Sequence, residues 1–394
     1  MVVHVFTGPT LHPGDPALAD SGFVPRPPIG HGDLLHPGIT PADTVLIIDG
    51  VFHHAPAVRH KEIIWTLSRG VRVLGAASIG ALRAAELADC GMVGVGEIYT
   101  AYATGHLVGD DEVAVAQAAA PDLSAYTWPL VNVRKALRLA VSEGVIDPEA
   151  SDLILAELRK VFYAHRSLRV LLSAGRSCGA PAFGWWLKDR LHDDPYFGDV
   201  KRADAVLALE TALTLDRAPS AAPPTGLVWN TRCFRRWHNE FTATQVDGFV
   251  LKIRHRVAYQ QIFDPGFKSL WHRFLRRAEA HELAPALACV AVRPDLDLAD
   301  RATVDLLLRH ETRADRTAIV RCLRSNEERT RTHPGFFPEA IRGETARTVL
   351  SAVWSVPGES LEGESWERGF QGEREAVDAV KPFVLGLLRN KEQV

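Results

Sequence analysis

Three short apolar runs near the start of the chain, Val2–Phe6, Val45–Ile48 and Val71–Leu74, constrain the fold more than any other feature. Each runs straight into small or turn-forming residues: Gly8-Pro9, Asp49-Gly50 and Gly75-Ala76-Ala77. Between the last two lies Ala57–Arg69, where Val58, Ile63, Ile64, Trp65 and Leu67 suit a helix and Gly70 suits its C-terminal cap. After the third comes GALRAAELADCG, a strong helix former closed by Gly91. Strand, helix, strand, helix predicts an α/β fold with a parallel-sheet N-terminal core covered by helices. From about Trp128 to Thr214 the pattern turns helical, with Asp122, Ser124 and Asp147-Pro148 as plausible starts. Beyond it a helical C-terminal extension is expected, with helices around Phe249–Tyr259, Lys268–His281, Arg301–His310 and Val377–Arg389. The break is RAPSAAPPTG, residues 217–226, which reads as a Pro/Ala linker between a core of 1–216 and an auxiliary region of 227–394. Residues 356–376, with Gly, Ser and Glu but few apolar side chains, read as a weakly ordered segment.

Composition narrows the functional classes. No apolar stretch approaches the ~18 residues of a membrane span, and MVVHVFTGPT has neither the basic start nor the apolar run of a secretory signal. Five cysteines with no CxxC pair suit a reducing cytoplasm and argue against a zinc ribbon or disulfide framework. The net charge of −3 combines −6 over residues 1–220 with +3 over 221–394, too mild on either side to point to nucleic acid. Residues 230–280 are locally basic and carry aromatics including Trp237, Tyr259, Phe267, Trp271 and Phe274. Such a mixture can bind nucleic acid or an acidic protein face, but more often the aromatics are core and the arginines a solvated helix face.

The chemistry concentrates in G-A-A-S-I-G-A-L-R-A-A-E, residues 75–86. Ser78 falls where a strand turns into a helix, among Gly75, Ala76, Ala77, Gly80 and Ala81. An incoming backbone could approach it closely. The helix start would offer N–H groups of Ile79 and Gly80 to a developing oxyanion. The plainer reading is that Ser78 is an N-cap. The segment is not a G-x-S-x-G elbow, because position 76 is Ala and the glycine is Gly75, so a Ser-His-Asp triad is not supported. Candidate bases are His53, His54, His60 and Lys61, and Asp49 joins them at the end of the second apolar run. A lysine acts as a base only where burial brings its pKa down from about 10.4 toward neutrality; the plain reading of Lys61 is a solvated helix lysine. A metal on Asp49, His53 and His54 is a minor alternative, and no cofactor is implied. Asp110-Asp111-Glu112 reads as an acidic helix start or a site that steers a cationic partner, and Arg83 with Glu86 as an i, i+3 pair on a helix or as support for the site. A phosphate-binding turn at 75–80 is disfavoured, because neither G-x-G-x-x-G nor a P-loop ending is present.

Taken in order, FTGPTL (6–11), PPIGHGDL (27–34), IIDGVF (47–52), VRHKEIIWTLSRGVRVLGAASIGALRAAEL (58–87), GMVGVGEIYTAY (91–102), GDDEVAVAQ (109–117) and VNVRKAL (131–137) resemble the TfuA family. The likeness covers residues 1–137 closely and the helices up to about 215 more loosely. The resemblance implies a partner of YcaO enzymes in thioamidation of a peptide backbone. In it a thiocarboxylated ThiS-like carrier protein would be hydrolysed to release sulfide, through a Ser-Lys pair that here is Ser78 and Lys61. Ile79 stands where the family often has Met. A non-catalytic adaptor that binds YcaO and the carrier is the alternative, with the precursor peptide as a further partner.

Overall fold

The computed structural model describes residues 2–36, 38–51, 56–118, 122–214, 230–241, 244–292, 300–333 and 336–391. They fall into two compact units, Met1–Trp229 and Asn230–Val394. The expected linker at 217–226 lies outside the described residues. No described helix is long and apolar enough to cross a membrane.

Among the described residues, five strands build the first unit: β1 (Val3–Phe6), β2 (Phe23–Arg26), β3 (Thr44–Ile47), β4 (Arg72–Ala76) and β5 (Val93–Val95). All pair in parallel, in the order β2-β1-β3-β4-β5. In register, Val3 faces Thr44 on one side and Phe23 on the other, and Thr44 faces Arg72. The three apolar runs of the sequence became the three central strands. The edge strands β2 and β5 were not evident, because β2 carries Pro25 and β5 is three residues long with Gly94 at its centre. An edge is where a sheet accepts both.

Among the described residues of the unit, eight α-helices accompany the strands: α1 (His60–Ser68), α2 (Ile79–Glu86), α3 (Gly96–Ala103), α4 (Leu130–Ser142), α5 (Pro148–Arg159), α6 (Leu168–Ser177), α7 (Pro181–Asp193) and α8 (Val200–Thr214). Strand alternation sorts them onto two faces. Val45 and Ile47 of β3 share a core with Ile63, Ile64 and Leu67 of α1 and with Ile79 and Ala84 of α2. Leu46 and Ile48 share the opposite core with Ala205, Ala208, Leu209 and Ala212 of α8. Thus the last helix of the unit returns to cover the sheet, while α4 to α7 enclose a separate core that includes Leu137, Ile154, Phe183 and Leu187. Asp204 of α8 caps α3 by accepting the Glu97 and Ile98 N–H groups, both at 2.8 Å. Gly96 makes room for that carboxylate with a φ of 100°.

The second unit has an antiparallel hairpin, β6 (Thr244–Val246) and β7 (Phe249–Leu251), among helices. These are α9 (Arg232–Phe241), α10 (Ile253–Phe263), α11 (Phe267–Arg277), α12 (Pro285–Val292), α13 (Arg301–Leu307), α14 (Arg313–Thr332), α15 (Gly343–Trp354), α16 (Leu361–Glu367) and α17 (Glu373–Lys391). Phe267, Trp271 and Phe274 are buried in its core. The reading of 356–376 as weakly ordered is corrected: the segment holds α16, with Leu361 and Phe370 buried. Polar anchoring replaces the missing apolar side chains. Buried Arg368 donates to the Gln261 and Asp264 carbonyls at 2.8 and 3.1 Å and lies over the Trp354 ring.

Two glycines set how tightly α2 meets the sheet. A Cβ on Gly80 would lie 1.8 Å from the Ile47 carbonyl oxygen, and one on Gly75 would lie 2.1 Å from the Gly80 carbonyl oxygen. Both contacts are with backbone, which cannot swing aside. In an ordinary helix interior Gly→Ala stabilises by ~1 kcal/mol. Here Gly80→Ala is expected to reverse that sign and cost about 3 kcal/mol by overpacking, read as a lower denaturation midpoint.

Candidate functional site

In a parallel sheet of this order, the chain leaves β1 toward one edge and β3, β4 and β5 extend toward the other. The crevice lies beyond the carboxyl ends of the strands at that divide, between β1 and β3. Asp49 follows β3 there. Its buried carboxylate accepts the Gly8 and Thr10 N–H groups, each at 2.9 Å, and the Thr10 hydroxyl at 2.6 Å. It thereby ties the turn after β1 to the end of β3.

Ser78 follows β4 on a strained turn. Ala77 has φ of 64°, and the Ser78 N–H donates back to the Ala76 carbonyl at 2.7 Å, closing a three-residue turn. A non-glycine residue held there costs of order 1–3 kcal/mol. Ser78 occupies the N-cap position of α2 yet makes no capping hydrogen bond, so the capping role does not consume its hydroxyl. With Asp49, Gly50, Pro28 and the segment Val113–Ala118, it lines a cavity of about 590 Å³.

The other residues singled out in the sequence are placed as follows. The Gly80 N–H points to the Ile48 carbonyl at 3.4 Å, so it is already engaged. Gly75 and Gly80 serve close packing of α2, and Ile79, whose N–H opens the helix without an intrahelical acceptor, also packs against the sheet. Lys61 sits half-buried in the first turn of α1 and is not among the residues lining the Ser78 cavity. Arg83 and Glu86 form an ion pair on α2 that His60 joins through Glu86 at 2.8 Å, and none of the three lines the cavity. Burial raises the Glu86 pKa, but hydrogen bonds and charge from His60 and Arg83 outweigh it and hold the carboxyl low. His53 and His54 lie outside the described residues, among which no group of three or more His, Cys, Asp or Glu side chains is placed to hold a metal.

The acidic run at 110–112 does not start an α-helix; a short 3-10 turn passes into extended chain. Asp110 is exposed. Asp111 pairs with buried Arg166, and Glu112 accepts two bonds from the Arg134 guanidinium at 2.9 and 2.7 Å. Asp111 and Glu112 therefore fasten the cavity wall to α4 and to the turn before α6. Glu62, next to Lys61, is fully buried; it accepts the Gly32 N–H at 2.7 Å and pairs with His31. The PPIGHGDL and HKE segments are thus two sides of one contact.

One residue was missed altogether. Lys201, near the start of α8, is buried with its Nζ 2.9 Å from the Val113 carbonyl and 3.9 Å from Asp49 Oδ1. Burial pushes its ammonium below the ordinary lysine range, opposed by the charges of Asp49 and Asp199. Like Lys61 it is not among the residues lining the Ser78 cavity; it lines a separate cavity of about 400 Å³, with Trp128, Tyr196 and Phe197. A signal was available: Lys201 shares the helical stripe of Ala205, Ala208 and Ala212, so a lysine stood on an apolar face.

Residues 49–167 match the family model described as TfuA-like protein. The span opens at Asp49, includes Ser78 and the Val113–Ala118 wall, and ends just past Arg166. The chain matches no curated protein.

Because the Lys201 pKa is lowered on folding, the unfolded chain binds more protons than the folded one between the lowered value and about 10.4. Stability linked to Lys201 therefore rises with pH through that window. Measured from pH 7 to 10, wild-type stability is expected to climb relative to Lys201→Met; parallel profiles would show that the lysine is not shifted.

Proposed function

Residues 49–167 being TfuA-like, of a family associated with YcaO-dependent thioamidation, we propose that this chain hydrolyses a thiocarboxylated ThiS-like carrier protein and supplies sulfide to a YcaO enzyme. The observation that carries the reading is Ser78: strained into position by Ala77, free of a capping bond, and lining a cavity with Asp49 at the carboxyl ends of the strands.

In the proposed reaction a neutral lysine takes the Ser78 proton and Oγ attacks the thiocarboxylate carbon. The Ile79 N–H at the start of α2 is the donor offered to the oxyanion. The C–S bond then breaks, the proton passes to sulfur, and hydrosulfide leaves. Water hydrolyses the Ser78 ester, releasing the carrier as a carboxylate and restoring the serine. Two lysines compete for the role of base. The family resemblance implies Lys61. The position of Lys201 against Asp49, in a dry setting that favours the neutral amine, recommends the other. Engagement of YcaO and its peptide belongs to the same proposal.

Sulfide release from a thiocarboxylated carrier tests it, with wild type, Ser78→Ala, Lys61→Ala and Lys201→Met compared after each is shown to be folded. Ser78→Ala is expected to lose about 10³-fold or more in kcat, and the lysine whose loss matches that effect is the base. Full release by folded Ser78→Ala would end the mechanism. A folded wild type that releases nothing from its own carrier, yet binds YcaO, would establish the adaptor reading instead.

A further inference from the structure

The wall of the Ser78 cavity is an extended segment, held by one isolated antiparallel bridge, with one side unused. Gln117 and Ala125 form an antiparallel bridge in which the bonds come from their neighbours: the Tyr126 N–H donates to the Ala116 carbonyl at 2.7 Å, and the Ala118 N–H to the Ser124 carbonyl at 2.8 Å. The Ala116 N–H is also taken, by the Thr127 hydroxyl at 2.8 Å. In this pattern the Gln117 N–H and C=O point away from the partner strand, and by the same alternation so do those of Val115. Among the described residues nothing hydrogen-bonds the main chain of Val115 or Gln117. That open edge belongs to the Val113–Ala118 segment, which lines the cavity containing Asp49 and Ser78. The edge begins where the wall is already held, at the Val113 carbonyl bonded by Lys201.

We propose that the Val115–Gln117 edge captures the extended C-terminal tail of a partner protein by strand addition and delivers its last carbon to Ser78. The occupant follows from what the cavity offers. Its unused hydrogen-bonding groups are main-chain ones, so they call for a main chain. The facing walls are Pro9, Pro27, Pro28 and Gly50, with Ala114 and Ala116 beside the edge, which leave room for a backbone with small side chains and offer little to read larger ones. Asp49, the one carboxylate among the described lining residues, has its oxygens already bonded by the Gly8 and Thr10 N–H groups and the Thr10 hydroxyl, so it is turned to the loop after β1. Two edge positions two residues apart span ~7 Å of strand, enough to fix register at the nucleophile. The direction of the tail rests on the proposed chemistry at Ser78; capture by the edge does not.

The test is binding of a hexapeptide of Gly, Ala and Ser ending in Gly-Gly with a free, unreactive carboxylate, followed by hydrogen exchange at Gln117. Two further peptides carry N-methyl groups on alternate residues, one in each register. Protection of the Gln117 amide is expected, with binding lost in one N-methyl register and kept in the other. Gln117→Pro removes the donor on the open edge and is expected to weaken binding about tenfold or more and to raise KM for the carrier with kcat preserved. Ala125→Pro places the same ring on the opposite edge and should bind as wild type does. No protection in wild type, equal tolerance of both registers, or equal loss in the two proline variants would overturn the inference. If the peptide binds in one register but wild type releases no sulfide, the edge stands and the hydrolase reading falls. If sulfide is released with Gln117→Pro unaffected, the reverse holds.

Discussion

The buried carboxylate of Asp49 is the point on which the N-terminal unit turns. Taking a carboxylate and an ammonium out of water costs several kcal/mol each, recovered only when geometry and supplementary hydrogen bonds are good. Here the supplements are specific. Gly8 and Thr10 come from the turn after β1, Lys201 from α8, and Val113 from the cavity wall through its bond to Lys201. Segments far apart in the chain thus converge on one interaction at the β1–β3 divide. The pair is weak evidence of net stability, but it makes alternative placements of α8 expensive, because each would strand a buried charge.

The remaining ionic contacts near the site do similar work one layer out. Glu62 holds the loop after β2 against α1 through Gly32 and His31, while Glu112 and Asp111 hold the wall through Arg134 and Arg166. Arg166 is itself buried and also donates to the Asp111 and Val161 carbonyls. Such over-determination is what a strained turn requires. The left-handed Ala77 persists because α2 is pressed onto β3 through Gly80 and because the segments around the cavity are each tied twice.

Much of this was legible in the sequence, and the pattern of success is physical. The central strands showed because both their faces are buried, which makes them mostly apolar apart from His4, Thr44 and Arg72. The edge strands did not, since Pro25 and Gly94 look like turn residues unless the sheet order is known. The position of Ser78 and Asp49 at strand ends was legible because a strand end followed by small residues is a local signal. FTGPTL and IIDGVF could be read only as separate pieces, although Thr10 and Asp49 are partners. Lys61 drew attention through its neighbours in HKE, and the structure gives the glutamate of that triplet the buried structural role. The helical stripe of α8 marks Lys201 as buried, but its pairing with Asp49 joins the second strand run to the last helix of the unit, a contact no local spacing encodes.

That contact also bears on how a lysine there would act. A charged Lys201 cannot accept a proton, and a neutral one leaves Asp49 facing no cation. The two states differ in opposite senses: dry surroundings favour the neutral amine, and the Asp49 charge favours the ammonium. If Lys201 is the base, proton transfer from Ser78 re-forms the buried ion pair as the nucleophile attacks, so the Asp49 interaction strengthens as the reaction proceeds rather than before it. This is the logic by which a buried carboxylate supports a basic partner in serine hydrolases, with an amine in place of an imidazole. Lys61, half-buried on α1, does not line the Ser78 cavity. On that proposal, and only with Lys201 as the base, the Asp49–Lys201 pair supplies a physical reason for retaining a costly buried charge at this divide, beyond its part in fastening α8 to the sheet.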